Sequence, residues 1–223
     1  MTGPPVTPAA LLLDLDGTLV LSEGVHRRTW QHFFDTWDVE VDDAEYRRTN
    51  LGRRAGDVLA QVRGPWTGTD LATAVRAMSG HALALGEDVE VVRGAPELVR
   101  GAAGAGVPVA VVTSAGAAWA DRVLGPVLGV RDLVDVLVTA EQVGTGKPSP
   151  EGYRRACDLL RVEADRCVGV EDSPSGVRAL LGAGVTAAVG VTTTSAASEL
   201  LVVGAVVTVP DLLAPELLGL VLS

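Results

Sequence analysis

Four short valine-rich runs, at residues 108–112, 135–138, 167–170 and 185–191, alternate with stretches of helical length. This alternation limits the fold more than any other feature of the chain. Runs so apolar leave no face for water and belong in a sheet covered on both sides. The stretches at 95–103, 117–124, 150–160 and 174–183 are the predicted helices that cover it. With the run Ala9-Ala10-Leu11-Leu12-Leu13 as a further strand, the expected fold is α/β, a doubly wound, Rossmann-like parallel sheet.

Residues 22–91 break the alternation. They hold no convincing strand, but amphipathic patterns at 26–34, 42–48 and 69–85 read as helices. All three histidines, three of the four tryptophans and both phenylalanines fall there, so the segment has the makings of a core of its own. The expectation is an all-helical cap domain, 22–91, inserted into a core built from 1–21 and 92–223. Trp30, Phe33 and Phe34 are expected in the cap's interior. The glycines at 101, 104 and 106 look like a dinucleotide loop, but they precede a strand instead of following one and read as a helix end and turn.

A chain of 223 residues, 48% hydrophobic, can bury one sizeable core and a smaller domain. The net charge of −10, with no basic run, argues against nucleic acid as a partner. Cys157 and Cys167 read as reduced core residues. The first eight residues lack a signal-peptide pattern, and no apolar run reaches membrane-spanning length. These features predict a cytoplasmic protein with no membrane partner, a monomer or weak homodimer.

The first strand runs into Asp14-Leu15-Asp16-Gly17-Thr18. Residues two apart share a strand face, so two carboxylates leave the strand end together and Gly17 lets the chain turn away. Such a pair repels by about 4 kcal/mol at about 4 Å and an effective dielectric of about 20, and a cation or a shared proton offsets this. The chain also has seventeen arginines and one lysine, Lys147, held in Gly146-Lys147-Pro148-Ser149-Pro150. A compact ammonium on a stiff turn suits a site that sets one point charge against one phosphate oxygen.

Ligands of open α/β sheets sit beyond the carboxyl ends of the strands. In order, those ends supply Asp14 and Asp16, Thr113 and Ser114, Lys147, then Glu171 and Asp172. Carboxylates, hydroxyls and one ammonium are the parts that phosphoryl transfer with one magnesium ion needs. The motifs Asp14-Leu15-Asp16-Gly17-Thr18, Val111-Val112-Thr113-Ser114, Gly146-Lys147-Pro148-Ser149-Pro150 and Gly169-Val170-Glu171-Asp172-Ser173-Pro174-Ser175-Gly176 resemble, in order, the four motifs of the haloacid dehalogenase superfamily. The helical insert resembles the small cap of its β-phosphoglucomutase and sugar-phosphate phosphatase subgroup.

The resemblance implies roles. Asp14 would attack phosphorus, and Asp16 would act as acid and then base. Mg²⁺ would be held by Asp14, the backbone carbonyl of Asp16 and Asp172. Thr113, Ser114 and Lys147 would bind the phosphate, with Glu171 behind them. Leu51-Gly52-Arg53-Arg54-Ala55-Gly56-Asp57 resembles the cap's recognition loop, so Arg53 and Arg54 are expected near substrate, with His26 matching a cap-hinge histidine of the mutase. Leu21 stands where relatives often carry Asp or Asn. The implied activity is Mg²⁺-dependent hydrolysis of a small phosphorylated metabolite, a sugar or polyol phosphate. A mutase is the alternative, disfavoured by a cap without lysine. A phospho-accepting signalling domain is a remote one.

Overall fold

The computed structural model describes residues 7–50, 53–85 and 89–222. Leu51 and Gly52, the start of the expected recognition loop, lie outside the described residues, as do residues 1–6 of the leading segment. Numbered in chain order, strands β1 (Ala10–Leu13), β4 (Val109–Val112), β5 (Val136–Val138), β6 (Cys167–Glu171), β7 (Ala187–Val191) and β8 (Val207–Val209) form one parallel sheet. Its order is β5-β4-β1-β6-β7-β8. From β1 the chain winds outward through β4 to β5, returns across the sheet to β6, and winds the other way. That reversal opens a crevice at the carboxyl ends of β4, β1 and β6.

Alternation along the strands sorts the core into two layers. Leu11 and Leu13 pack with Val109, Val111, Val168 and Val170 against α5 (Ala95–Gly104), α6 (Ala117–Arg122) and α10 (Pro215–Val221). Ala10 and Leu12 face the other way with Ala110 and Val112, under α7 (Glu151–Leu160), α8 (Pro174–Ala183) and α9 (Ala197–Val202). Both cysteines are free and buried in this second layer. The helix expected at 117–124 is α only to Arg122. It then widens into a π turn, Val123–Val127, because Pro126 has no amide to continue the ladder.

The insert supplies α1 (Glu23–Asp35), α2 (Asp43–Thr49), α3 (Ala55–Gln61) and α4 (Leu71–Leu85). Asp42 caps α2 by accepting from the Glu45 amide at 2.8 Å. Trp30, Phe33 and Phe34 are buried with Tyr46, Leu59 and Trp66 in a separate aromatic cluster, Trp30 stacking on Phe34 at 5.4 Å. Three short strands and the helices α3, α9 and α10 add to the elements read from the sequence. Strands β2 (Val20–Leu21) and β3 (Glu90–Val91) pair antiparallel where the chain leaves and re-enters the core, each too short to show a period. The sixth strand, β8, is a three-residue run of the same kind. Among the described residues, no helix is long and apolar enough to cross a membrane.

Candidate active site

Asp14 follows β1 directly, and its amide donates to the Val170 carbonyl at 3.1 Å, fixing it against β6. Gly17 then turns the chain at φ 91°. A Cβ there would lie 2.0 Å from Asp172 Oδ2, so glycine is what lets the two acidic loops approach.

Lys147 reaches this point from the loop before α7. Its ammonium donates to Asp14 Oδ1, to Glu171 Oε1 at 2.6 Å and to the Val112 carbonyl at 3.0 Å. Glu171, at the end of β6, is fully buried and also accepts from the Tyr153 hydroxyl at 2.6 Å and from Ser173 at 3.3 Å. A charge so deep needs this many partners.

Asp14, Glu171 and Asp172 bring carboxylate oxygens within 4.8 Å of one another. Burial pushes the Asp14 carboxyl up to about 7, helped by the charges of Glu171 and Asp16 and opposed by Lys147. Burial, then the Asp14 and Glu171 charges, push Asp172 well above the usual carboxylate range. Asp14 Oδ2 is buried and has no hydrogen-bond partner. Hard oxygen donors, mutual repulsion and one unpaired buried oxygen together fit a divalent cation such as Mg²⁺. The resemblance implies a place for Glu171 behind this cluster; in the structure its carboxylate is part of it.

The Asp16 side chain turns the other way, toward the cap. Its Oδ1 accepts from Ser22 Oγ at 2.6 Å, Trp119 Nε1 at 2.8 Å and His26 Nε2 at 3.0 Å, and its Oδ2 accepts from Thr113 Oγ1 at 3.3 Å. Burial opposes ionisation, but His26 and these donors outweigh it and hold the Asp16 carboxyl below its ordinary value. Burial likewise opposes the charge on His26, and Asp16 wins, raising the imidazole. Thr113 also accepts from the Ala115 amide at 2.9 Å, so its hydroxyl serves the protein on both sides. Ser114 Oγ is buried without a partner.

Ser22, Trp119, Tyr153 and Thr194, which hydrogen-bonds Asp172, were not singled out from sequence. Trp119 carried a signal, as the one tryptophan outside the insert.

Arg54, expected near substrate, turns its fork onto the core. Nη1 donates to the carbonyls of Ala140 and Val143 at 2.9 and 2.8 Å; Nη2 donates to the Gly144 carbonyl at 3.0 Å and to Asp57 at 2.6 Å. Asp57 in turn accepts from the Gly146 amide at 3.2 Å. The N-terminus of α3 is thereby tied to the loop that carries Lys147. Arg53 donates within the cap, to the Thr49 carbonyl and Gln61. Between cap and core lies a cavity of about 830 Å³, with Asp16, Asp172, Ser114 and Thr194 among its lining residues.

Residues 8–184 match the family model described as haloacid dehalogenase-like hydrolase. Validoxylamine A 7'-phosphate phosphatase of Streptomyces hygroscopicus subsp. limoneus is 37% identical over 190 residues, 85% of this chain and 88% of that protein. Hexitol phosphatase A of Escherichia coli (strain K12) is 32% identical, covering 78% of each chain. The crystal structure of CbbY from Rhodobacter sphaeroides in complex with phosphate superposes with a TM-score of 0.81 at 28% identity, over 92% of this chain and 95% of that one. With its parallel sheet, its acidic pair and its buried lysine at the strand ends, the chain belongs to the haloacid dehalogenase-like hydrolases.

Proposed function

We propose that the protein is a Mg²⁺-dependent phosphatase of a sugar or polyol phosphate, working through an aspartyl-phosphate on Asp14. The observation that carries this reading is the buried Asp14, held on one oxygen by Lys147 and unpaired on the other, beside Asp172 and Glu171. Relatives named as phosphatases support it.

Asp14, Asp172 and the backbone carbonyl of Asp16 are the groups that would hold Mg²⁺, which when bound neutralises phosphate charge and orients the ester. One Asp14 carboxylate oxygen forms a bond to phosphorus as the bond to the alcohol oxygen breaks, and the other is left to the cation. Lys147 offers its charge to the transferring oxygens. Asp16 delivers a proton to the departing alcohol and then takes one from the water that opens the aspartyl-phosphate. For this Asp16 must exchange Ser22, His26 and Trp119 for a proton and turn inward. Hydrolysis is favoured over mutase chemistry because the insert, 22–91, contains no lysine.

The test measures phosphate release from hexose and polyol phosphates with Mg²⁺ and with chelator. It also follows β-glucose 1-phosphate by phosphorus NMR with a trace of 1,6-bisphosphate. Steady release that chelator abolishes is expected. Rapid conversion to the 6-phosphate with little free phosphate would establish the mutase instead.

A further inference from the structure

We infer that the alcohol half of the substrate is uncharged and larger than a hexose, about two linked six-membered rings, with no second phosphate. The inference rests on the phosphatase reading above and narrows it. Three features of the cavity between cap and core carry it.

The first is size. The cavity measures about 830 Å³, near the top of the range of about 300–1,000 Å³ in which ligand pockets fall. A hexose phosphate has about sixteen non-hydrogen atoms. Even at the roughly 30 Å³ that a water molecule occupies in the liquid, it would take up about 480 Å³. Space for a further ring is left over.

The second is the wall. Away from the acidic floor, Trp30 of α1 and Val75, Met78 and Leu83 of α4 give the cavity an apolar face, with Thr29 and Asn50 as polar positions beside it. The apolar face gains by covering the C–H face of a saturated ring, and the buried, unpartnered Thr29 Oγ1 and Asn50 Nδ2 suit ring hydroxyls.

The third is charge. Binding a second phosphate calls for a cation with a free fork. Among the described residues, the arginines lining the cavity are Arg53, Arg54 and Arg76. Arg54 has both terminal nitrogens committed to core carbonyls and Asp57. Arg53 spends its fork on Thr49 and Gln61. Arg76 donates to Thr73 at 2.6 Å and sits 3.9 Å from the Asp70 carboxylate. Glu23 and Glu141 line the same space, so a dianion there would meet carboxylates, two arginines whose forks are occupied, and a third that is exposed to water beside Asp70.

The experiment measures kcat/KM for phosphate release, with Mg²⁺, from para-nitrophenyl phosphate, glucose 6-phosphate, trehalose 6-phosphate, sucrose 6-phosphate and xylulose 1,5-bisphosphate. At least one disaccharide ester should exceed glucose 6-phosphate by about tenfold or more, the scale of discrimination an apolar pocket supplies. The bisphosphate should fall below glucose 6-phosphate. Any other ranking of the sugar esters, or hydrolysis of the nitrophenyl ester alone, overturns the inference while the phosphatase reading stands. No release from any ester, the nitrophenyl one included, overturns the phosphatase reading itself.

Discussion

Lys147 places its ammonium among two carboxylates and a carbonyl, one partner for each of its three N–H groups. Three rotatable donors on a point charge fit that arrangement, whereas a planar guanidinium fork would meet one of the carboxylates and clash with the rest. Lys147→Ala should lower kcat by about 10²-fold or more, as loss of a single electrostatic stabiliser does, and Lys147→Arg should restore little of it. Steady-state phosphate release checks both, and an arginine variant with full activity would refute the point-charge role. Tyr153 acts one step back, holding Glu171 while its ring lies 5.3 Å below the ammonium. Tyr153→Phe should cost about 1–3 kcal/mol in urea unfolding, because it leaves a buried acceptor short of a donor. The two residues also mark what the sequence reveals. Lys147 stood out through its rarity and its stiff turn. Tyr153 did not, since a tyrosine on an amphipathic helix reads as core and its partner lies 18 residues away. Trp119 is marked in the sequence as the one tryptophan outside the insert, but its pairing with Asp16, 103 residues away, is not.

At the scale of elements, the regular alternation of β1, β4, β6 and β7 with their helices was legible because each strand is a continuous apolar run. The two-residue pieces β2 and β3 were not, since two residues carry no period, and β8 was not picked out although it is as long as β5, which the run at 135–138 reveals. The tie between α3 and the Lys147 loop was illegible for another reason. Arg54 donates to backbone carbonyls 86 to 90 residues away, and a carbonyl leaves no trace in a side-chain pattern. Arg54 therefore reads in sequence as a substrate contact, and the structure adds a fastening made from the wall of the same cavity. Arg54→Ala should lower kcat/KM by about tenfold, the worth of one charge-assisted hydrogen bond, and by the same factor for every ester. Losses that differ among esters would return Arg54 to the substrate. Arg54→Lys should recover little, because one ammonium cannot span three carbonyls and Asp57.

Across the whole molecule the net charge is −10, and at the sheet's carboxyl edge three buried carboxylates gather, two of them paired to Lys147. Mg²⁺ should therefore stabilise the fold as well as serve the reaction. At about 100 times its Kd, a ligand specific for the folded state adds about 2.7 kcal/mol. For a chain of this length that is a rise in Tm of about 5–10 °C, measurable by scanning calorimetry with and without chelator. Asp172→Asn should raise the Tm of the chelated protein, by relieving repulsion, and abolish both the Mg²⁺-induced rise and turnover. An unchanged Mg²⁺ response in that variant would remove Asp172 from the ion's coordination. A chain with one lysine, nine-tenths buried, has a further property. An amine-directed acylating reagent finds a single side-chain target, and can reach it only when the core loosens around it. Mass spectrometry of one peptide then times the opening of the site in the unaltered protein.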